Sequence, residues 1–315
     1  MSFLSSNPSI AIVGAGAMGC LFAARLAEQG ADTVLIDIDR ERLSAMARDG
    51  IHLTDDTGAR TVPVRAALAA DVAAPVDLVI LFTKGLHSAA AISSVAHLAV
   101  TNPIALTLQN GIGNAELLAA GFGEDRVLLG TAHVPADLTG PASITTKGFG
   151  HLDLGGLTDT AQAFASDVAS LLTRAGFAAH VSQDINATVW EKVAFNAALN
   201  AIGMICQVPN EGVDNEEGRR VAINVVDETV RVATAKDIAL DRDRIVATVL
   251  AALRDHGHHK ASMLQDRDHG RQTEIEMING AIAREGARLG VPTPVCDTLT
   301  DLVRIIERSC LRSIG

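Results

Sequence analysis

This chain has no excess of positive charge, no paired cysteines and no apolar run of membrane-spanning length. Of its 315 residues, 26 are Lys or Arg and 37 are Asp or Glu, giving a formal net charge of −11. A nucleic-acid or anionic-membrane partner is therefore not expected, because no basic field exists to draw phosphates from a distance. Backbone amides can still bind a small phosphate locally. No apolar stretch approaches the roughly 20 residues that a spanning helix needs. Residues Met1 to Pro8 lack the basic stretch that opens a secretory signal. Cys20, Cys206, Cys296 and Cys310 lie far apart and form no Cys-x-x-Cys. That usage fits a reduced, cytoplasmic protein and argues against a metal centre.

What is present is a hydrophobic content of 48% in a chain long enough for two domains, each with its own core. Near the start, Ser9-Ile10-Ala11-Ile12-Val13 leads straight into Gly14-Ala15-Gly16-Ala17-Met18-Gly19, and a segment of helical period follows from Cys20 to Gln29. Gly14 permits a tight strand-to-helix turn. Gly16 lets the backbone approach a pyrophosphate, and Gly19 lets the new helix pack closely on its strand. The free amides at the helix start and the positive end of its dipole then face the phosphate charge. Strand before, helix after and a second strand from Thr33 to Ile38 raise the motif above an ordinary glycine turn.

The second strand ends in acid at Asp37 and Asp39. A carboxylate at Asp37, 18 residues beyond Gly19, accepts from both ribose hydroxyls and repels a 2′-phosphate, which favours NAD over NADP. Asp39 equally suits the cap of a helix over Arg40 to Arg48. Arg40 and Arg42 are the competing feature, since either could reach a 2′-phosphate. Asp77 to Thr83 reads as a buried parallel strand running into Lys84, at the crevice end of the sheet or else a solvated loop. Pro103 to Asn114 repeats the pattern of strand, glycine-punctuated turn and helix. Asn110 there is either a ligand contact or a turn asparagine. Short strands are expected at Ile51–Leu53 and Thr61–Val64, and helices at Ser88–Leu98 and Thr158–Arg174. Val127–Thr131 and Ile144–Leu154 read as antiparallel strands extending the parallel sheet, with a closing strand at Ala178–Val181.

From Asp184 onward strand signals give way to helical periodicity, so the expected division is residues 1–184 and residues 185–315. In the first helical segment Lys192, Asn196 and Asn200 recur every four residues and share one face. Asparagine is a poor helix former, so a polar stripe in an otherwise apolar helix reads better as an active-site face than as a wetted one. His256, His258, His259 and His269 form no helical His-x-x-x-His with a carboxylate, and read as solvent-facing.

Assembled, these pieces resemble the ketopantoate reductase (2-dehydropantoate 2-reductase) family over essentially the full length. The resemblance rests on Gly14 to Gly19, Leu108 to Asn114, Trp190 to Asn196, and Ser262 to Asp266 with Thr273-Glu274-Ile275. It implies an α/β fold: an N-terminal Rossmann-type dinucleotide-binding domain followed by an all-helical C-terminal domain, with substrate and cofactor bound in a cleft between them. It also implies reduction of ketopantoate to (R)-pantoate, a step of pantothenate biosynthesis, with a nicotinamide cofactor. The family's catalytic pair falls on Lys192 and Glu274, and its substrate contacts on Asn110, Asn196, Asn210 and Ser262. The cofactor set falls on Gly14, Ala15, Gly16, Ala17, Met18, Gly19, Asp37, Lys84 and Asn110. Many members use NADPH and carry a basic residue after the second strand, where this chain has Asp39. The cofactor is thus NAD or NADP, with NAD favoured by the two aspartates. The alternative within the same fold is an NAD-dependent D-2-hydroxyacid dehydrogenase acting on another 2-keto acid. A nucleotide sensor without chemistry would have no use for Lys192, Glu274 and Ser262 together. A homodimer is expected by analogy with the family and from the frequency of twofold assemblies.

Overall fold

The computed structural model describes residues 4–5, 7–73 and 75–312. They form two compact units, one comprising the chain up to Gln109 with Asn114–Ile185, the other Asn110–Gly113 with the chain from Asn186 onward. The expected cut after residue 184 differs in two respects. Ile185 belongs with the first unit, and the four residues Asn110–Gly113 belong with the second.

The first unit runs β1 (Ser9–Val13), α1 (Ala17–Glu28), β2 (Asp32–Ile36), α2 (Arg40–Asp49), β3 (Ile51–Asp55), β4 (Gly58–Val62), β5 (Arg65–Ala67), β6 (Leu78–Leu81) and α3 (Ser88–Ser94). It continues with β7 (Ile104–Thr107), α4 (Asn114–Phe122), β8 (Val127–His133), β9 (Ala136–Gly140), β10 (Ser143–Thr146), β11 (His151–Gly156), α5 (Asp159–Gln162), α6 (Ala165–Arg174) and β12 (Ala178–Val181). Eight strands make the main sheet in the order β12-β11-β8-β7-β6-β1-β2-β5. β1 pairs in parallel with β2 on one side and β6 on the other, so the strand order reverses beside β1. In open parallel sheets that reversal leaves a crevice at the carboxyl ends of the strands, where ligands bind. Val13 is level with Ile36 and with Leu81, and Leu81 with Thr107. Register thus brings Gly14, Asp37, Phe82 and Leu108 to one edge.

A second sheet, β4-β3-β10-β9, covers the opposite side of α1. This explains why α1 is apolar around its whole circumference. Residues Gly19 to Leu26 are all buried, and Phe22 stacks on Phe177 with ring centroids 4.2 Å apart. A helix apolar all round has to be enclosed on every side. Arg25 is the charged residue in that buried stretch. It donates to the carbonyls of Gly148, Phe149 and Gly176 and lies over the Phe177 ring.

The second sheet corrects part of the sequence reading. The single strand expected over Ile144–Leu154 is two strands in different sheets, because Gly148 and Gly150 both take positive φ, 68° and 67°. β10 leaves to pair in parallel with β3, while β11 pairs antiparallel with β8 as expected. The short strands near residues 51 and 61 pair with each other as the hairpin β3–β4 rather than joining the main sheet. The helix expected over Thr158–Arg174 is α5 and α6, with Thr158 capping the first by accepting from the Ala161 N–H. The helix expected to reach Leu98 tightens after Ser94 into a 3₁₀ turn.

The second unit is helical: α7 (Ile185–Cys206), α8 (Asn210–Val213), α9 (Glu216–Thr234), α10 (Arg242–Asp255), α11 (Ser262–Asp268), α12 (Asn279–Leu289) and α13 (Pro294–Arg312). Its core gathers Trp190, Val193, Ala197 and Ile202 of α7 with Val225 and Val226 of α9, Val249 of α10, Ile282 of α12 and Val303 of α13. Buried inside it, with 2% of its surface exposed, is the Glu228 carboxylate. One oxygen accepts from the Val295 N–H at 2.9 Å and the other from the Cys296 N–H at 2.8 Å. A side chain of α9 therefore caps α13, whose first position is a proline with no N–H to satisfy. Replacing Glu228 by Ala strands two buried donors and is expected to cost about 3 kcal/mol of stability. Urea denaturation checks this, since a midpoint unchanged from that of the parent would refute the cap's importance.

Candidate active site

The nucleotide end of the first unit is built by three short-range devices. Gly14 sits at φ +107°, and a Cβ there would come within 2.7 Å of the Thr83 amide nitrogen, so strand and loop approach only because no side chain intervenes. A Cβ on Gly19 would overlap the Gly14 carbonyl, which is the close packing expected of the third glycine. Gly16 differs, since a Cβ there would meet nothing within 4 Å. It is the N-cap of α1, and no side chain caps the helix. An uncapped, twelve-residue helix opening on space suits a pyrophosphate.

Asp37 is wired to this loop. Its carboxylate accepts from the Ala15 N–H at 2.5 Å and from the Ile38 and Asp39 N–H groups at 2.7 and 3.0 Å. Asp39 is the N-cap of α2, accepting from the Arg42 N–H. The Arg42 guanidinium donates to the Ala15 carbonyl at 2.5 Å. The capping reading of Asp39 is thus seen directly, while Asp37 is bonded to the glycine loop through the Ala15 N–H. Lys84 lies three residues past the end of β6 and is half-buried. Gln109, which the sequence did not single out, donates to the Thr83 carbonyl and to Ser88 Oγ, and accepts from Thr107 Oγ1. It ties together the carboxyl ends of β6 and β7. Its position next to Asn110 in a polar turn was the available signal.

In the helical unit the α7 stripe is present. Lys192 and Asn196 are half-buried and Asn200 is buried, its amide donating to Ser262 Oγ at 3.0 Å. Asn200 was visible as the third member of the stripe, and its partner is one of the expected substrate contacts. Burial pushes the Lys192 ammonium down to about 8, and the nearby Glu274 carboxylate opposes that fall. Glu274 also accepts from Asn110 Nδ2 at 3.1 Å. The approach of Asn110 depends on Gly111 at φ +97°, because a Cβ there would come within 2.7 Å of the Met277 carbonyl carbon. The Met277 carbonyl meanwhile accepts from the Ile112 N–H at 2.8 Å. Lys192, Glu274 and Asn110 are thereby brought together, with Ser262 joined to the same helix face through Asn200.

Asn210 is engaged elsewhere. It is buried, its amide donates to the Ala252 and His256 carbonyls, and its N–H donates to the His259 carbonyl, closing the end of α10. His256, His258, His259 and His269 are all exposed. Among the described residues no group of three or more His, Cys, Asp or Glu is arranged to hold a metal ion. No described helix is long and apolar enough to cross a membrane.

The glycine loop of the first unit is suited to a dinucleotide phosphate, and the second unit, taken by itself, can offer an ammonium, beside a carboxylate and an amide, to a carbonyl compound. Comparison with known proteins points the same way. Residues 10–159 match the family described as ketopantoate reductase PanE/ApbA, and residues 184–307 match its C-terminal part. A 2-dehydropantoate 2-reductase of Halobacterium salinarum is 31% identical over 302 residues, covering 95% of this chain and 99% of that one. Among solved structures, a ternary complex of D-mandelate dehydrogenase with NADH and anilino(oxo)acetate superposes with a TM-score of 0.91 at 31% identity, covering 96% of this chain and 99% of that one. A PanE/ApbA family ketopantoate reductase from Ralstonia eutropha JMP134 does so with a TM-score of 0.88 at 28% identity, over 96% and 99% of the two chains. With both halves matched in order, and with the glycine loop, the α7 lysine and the Glu274 turn all in place, this chain belongs to the ketopantoate reductase family.

Proposed function

We propose that this protein is a 2-dehydropantoate 2-reductase that reduces the ketone of ketopantoate to (R)-pantoate with NADH. The observation that carries the reading is Lys192, half-buried, lowered to about 8 and set beside Glu274. The nicotinamide cofactor, when bound, supplies the hydride. As negative charge grows on the carbonyl oxygen, the Lys192 ammonium stabilises it and delivers a proton from Nζ. That interaction is stronger in the transition state than with the neutral ketone, as catalysis requires. At pH 7 a lysine of this affinity is about ten parts ammonium to one part amine, charged yet ready to release its proton. Glu274 keeps the ammonium charged and holds the Asn110 amide in place, leaving Asn110, Asn196 and Ser262 to orient the acid.

The residues fit a dinucleotide: Gly16 opens on free space at an uncapped helix start, and the Asp37 carboxylate, expected to meet the ribose, is held beside the same loop by the Ala15 N–H. NAD rather than NADP is supported by that fixed negative charge and by Arg42, whose guanidinium is already bonded to the Ala15 carbonyl. Lys84, Ala15, Ala17 and Met18 complete the proposed cofactor set. A cytoplasmic homodimer is part of the same proposal, on the frequency of twofold assemblies.

A second reading is an NAD-dependent D-2-hydroxyacid dehydrogenase of the same mechanism, supported by the 0.91 TM-score to a D-mandelate dehydrogenase that holds NADH. Steady-state kcat/KM for ketopantoate and for the 2-keto acid of mandelate, each with NADH and NADPH, separates the readings. Ketopantoate with NADH is expected to be the fastest pair, and no turnover of ketopantoate would end the first reading.

Three further outcomes are expected. Lys192→Ala should lower kcat by about 10²–10⁴-fold while NADH binding, read by fluorescence, is retained. In the parent enzyme, reduction needs the ammonium, so kcat/KM should be level below pH about 8 and fall about tenfold per unit above it. The reverse oxidation needs the amine and should rise across the same range. Asp37→Ser should weaken NADH use by about 10–100-fold, the worth of a charge-assisted hydrogen bond, and raise the NADPH/NADH ratio. A ratio that stays put would assign cofactor choice to another residue.

A further inference from the structure

Glu276 lies two residues past Glu274, on the 3₁₀ turn Ile275–Met277, and plays no part in the chemistry above. Its surroundings are unusually well specified. Arg304 of α13 donates to both of its oxygens, Nε to one at 2.6 Å and a terminal nitrogen to the other at 2.8 Å. Arg284 of α12 donates to the same carboxylate at 3.0 Å and, with its second nitrogen, to the Glu276 backbone carbonyl at 2.6 Å. Such fork-to-fork pairing fixes orientation as well as distance. The two arginines hold the Glu276 carboxyl below its ordinary range, so it is charged wherever the enzyme works.

The rest of the turn is held from other sides. The Thr273 N–H donates to Glu307 of α13 at 2.7 Å, and Asn279 donates to the Ala197 carbonyl on α7 at 3.0 Å. The turn in turn holds the reacting groups: Glu274 takes Asn110, and the Met277 carbonyl takes Ile112. The Glu274 carbonyl accepts from the Met277 and Ile278 N–H groups, so its backbone is tied to the turn that carries Glu276, and the clamp on that turn bears on where the Glu274 side chain points.

We infer that Glu276, clamped between Arg304 and Arg284, is a positioning residue that fixes the Glu274 carboxylate against Lys192 and Asn110. The inference rests on the reductase reading for its kinetic consequences but not for its geometric ones. Releasing the clamp lets Glu274 drift, and the charge that props up the Lys192 proton affinity weakens. Lys192 then titrates lower, because burial still acts and its opponent is reduced.

The test compares Glu276→Ala, Glu276→Gln and Arg304→Lys with the parent protein. The first measurement needs no turnover: the pH midpoint for acetylation of Lys192 by dilute acetic anhydride, read by mass spectrometry. The second is ketopantoate reduction with NADH. Glu276→Ala is expected to move the labelling midpoint to lower pH, lower kcat/KM at least tenfold with a raised KM for the keto acid, and leave NADH binding unchanged. Glu276→Gln, whose single acceptor oxygen can keep the bonds to Arg284 and to one Arg304 nitrogen while its NH₂ faces the Arg304 Nε–H, should give an intermediate loss. Should Glu276→Ala not fold, Glu276→Gln and Arg304→Lys carry the comparison, with smaller shifts in the same direction.

Glu228→Ala serves as a control for lost stability, since it loosens α13 away from the turn. A lower melting temperature with an unmoved Lys192 midpoint in the Glu276 variants would overturn the inference. So would an equal shift in Glu228→Ala. Absence of ketopantoate turnover in the parent would overturn the reductase reading instead, and the labelling midpoint would still decide the role of Glu276.

Discussion

A lysine ammonium drawn out of water needs a negative charge at hand, and much of the helical unit is arranged to supply one. Burial lowers the proton affinity of Lys192, and Glu274 resists the fall. Neither effect alone makes a useful acid: an exposed lysine holds its proton too tightly, and a buried lysine without a partner gives it up altogether. The balance depends on where Glu274 points. The short turn that carries it is bonded within itself and also to α7, α12, α13 and the segment Asn110–Gly113.

The same logic appears at the nucleotide end in another form. There the binding groups are backbone amides, so the requirement falls on glycines and on what surrounds them. Gly14 and Gly19 are needed for close approach of chain to chain, while Gly16 leaves room. Asp37 and Arg42 grip the N–H and the C=O of Ala15 from the two sides. One ionised group of each sign thereby fixes the loop without crossing the space it borders. In both units, charged side chains do their positioning through backbone groups as much as through each other.

Sequence reasoning reached the parts of this protein that are local. Strand, glycine turn, helix and acidic residue follow one another within thirty residues, so Gly14 to Asp37 could be read directly. The Lys192, Asn196 and Asn200 stripe needed only helical spacing. What escaped was long-range. β3 and β10 pair across some ninety residues of chain, and neither has enough length or alternation to announce a second sheet. Gly148 and Gly150 marked the break between β10 and β11, but Ile144–Leu154 read as a single strand across them. The partners of Glu276 could not be read from sequence, because Arg284 and Arg304 reach it from two later helices. Asn210 matched a family position, yet its donors face carbonyls at the end of α10, a fact that only the packing of α8 reveals.

One feature of the first unit bears on how a cofactor is received. Helix α1 has no free side: the main sheet lies under it, the four-stranded sheet lies over it, and Arg25 ties it to the loops around Gly148 and Gly176. The helix whose positive end would face a bound phosphate is thus packed in place on both faces by the protein itself. A phosphate bound there would meet a field already built by the fold, with little reorganisation left to oppose it. The small second sheet, remote from any chemistry, would in this sense contribute to the affinity for a cofactor bound at this loop.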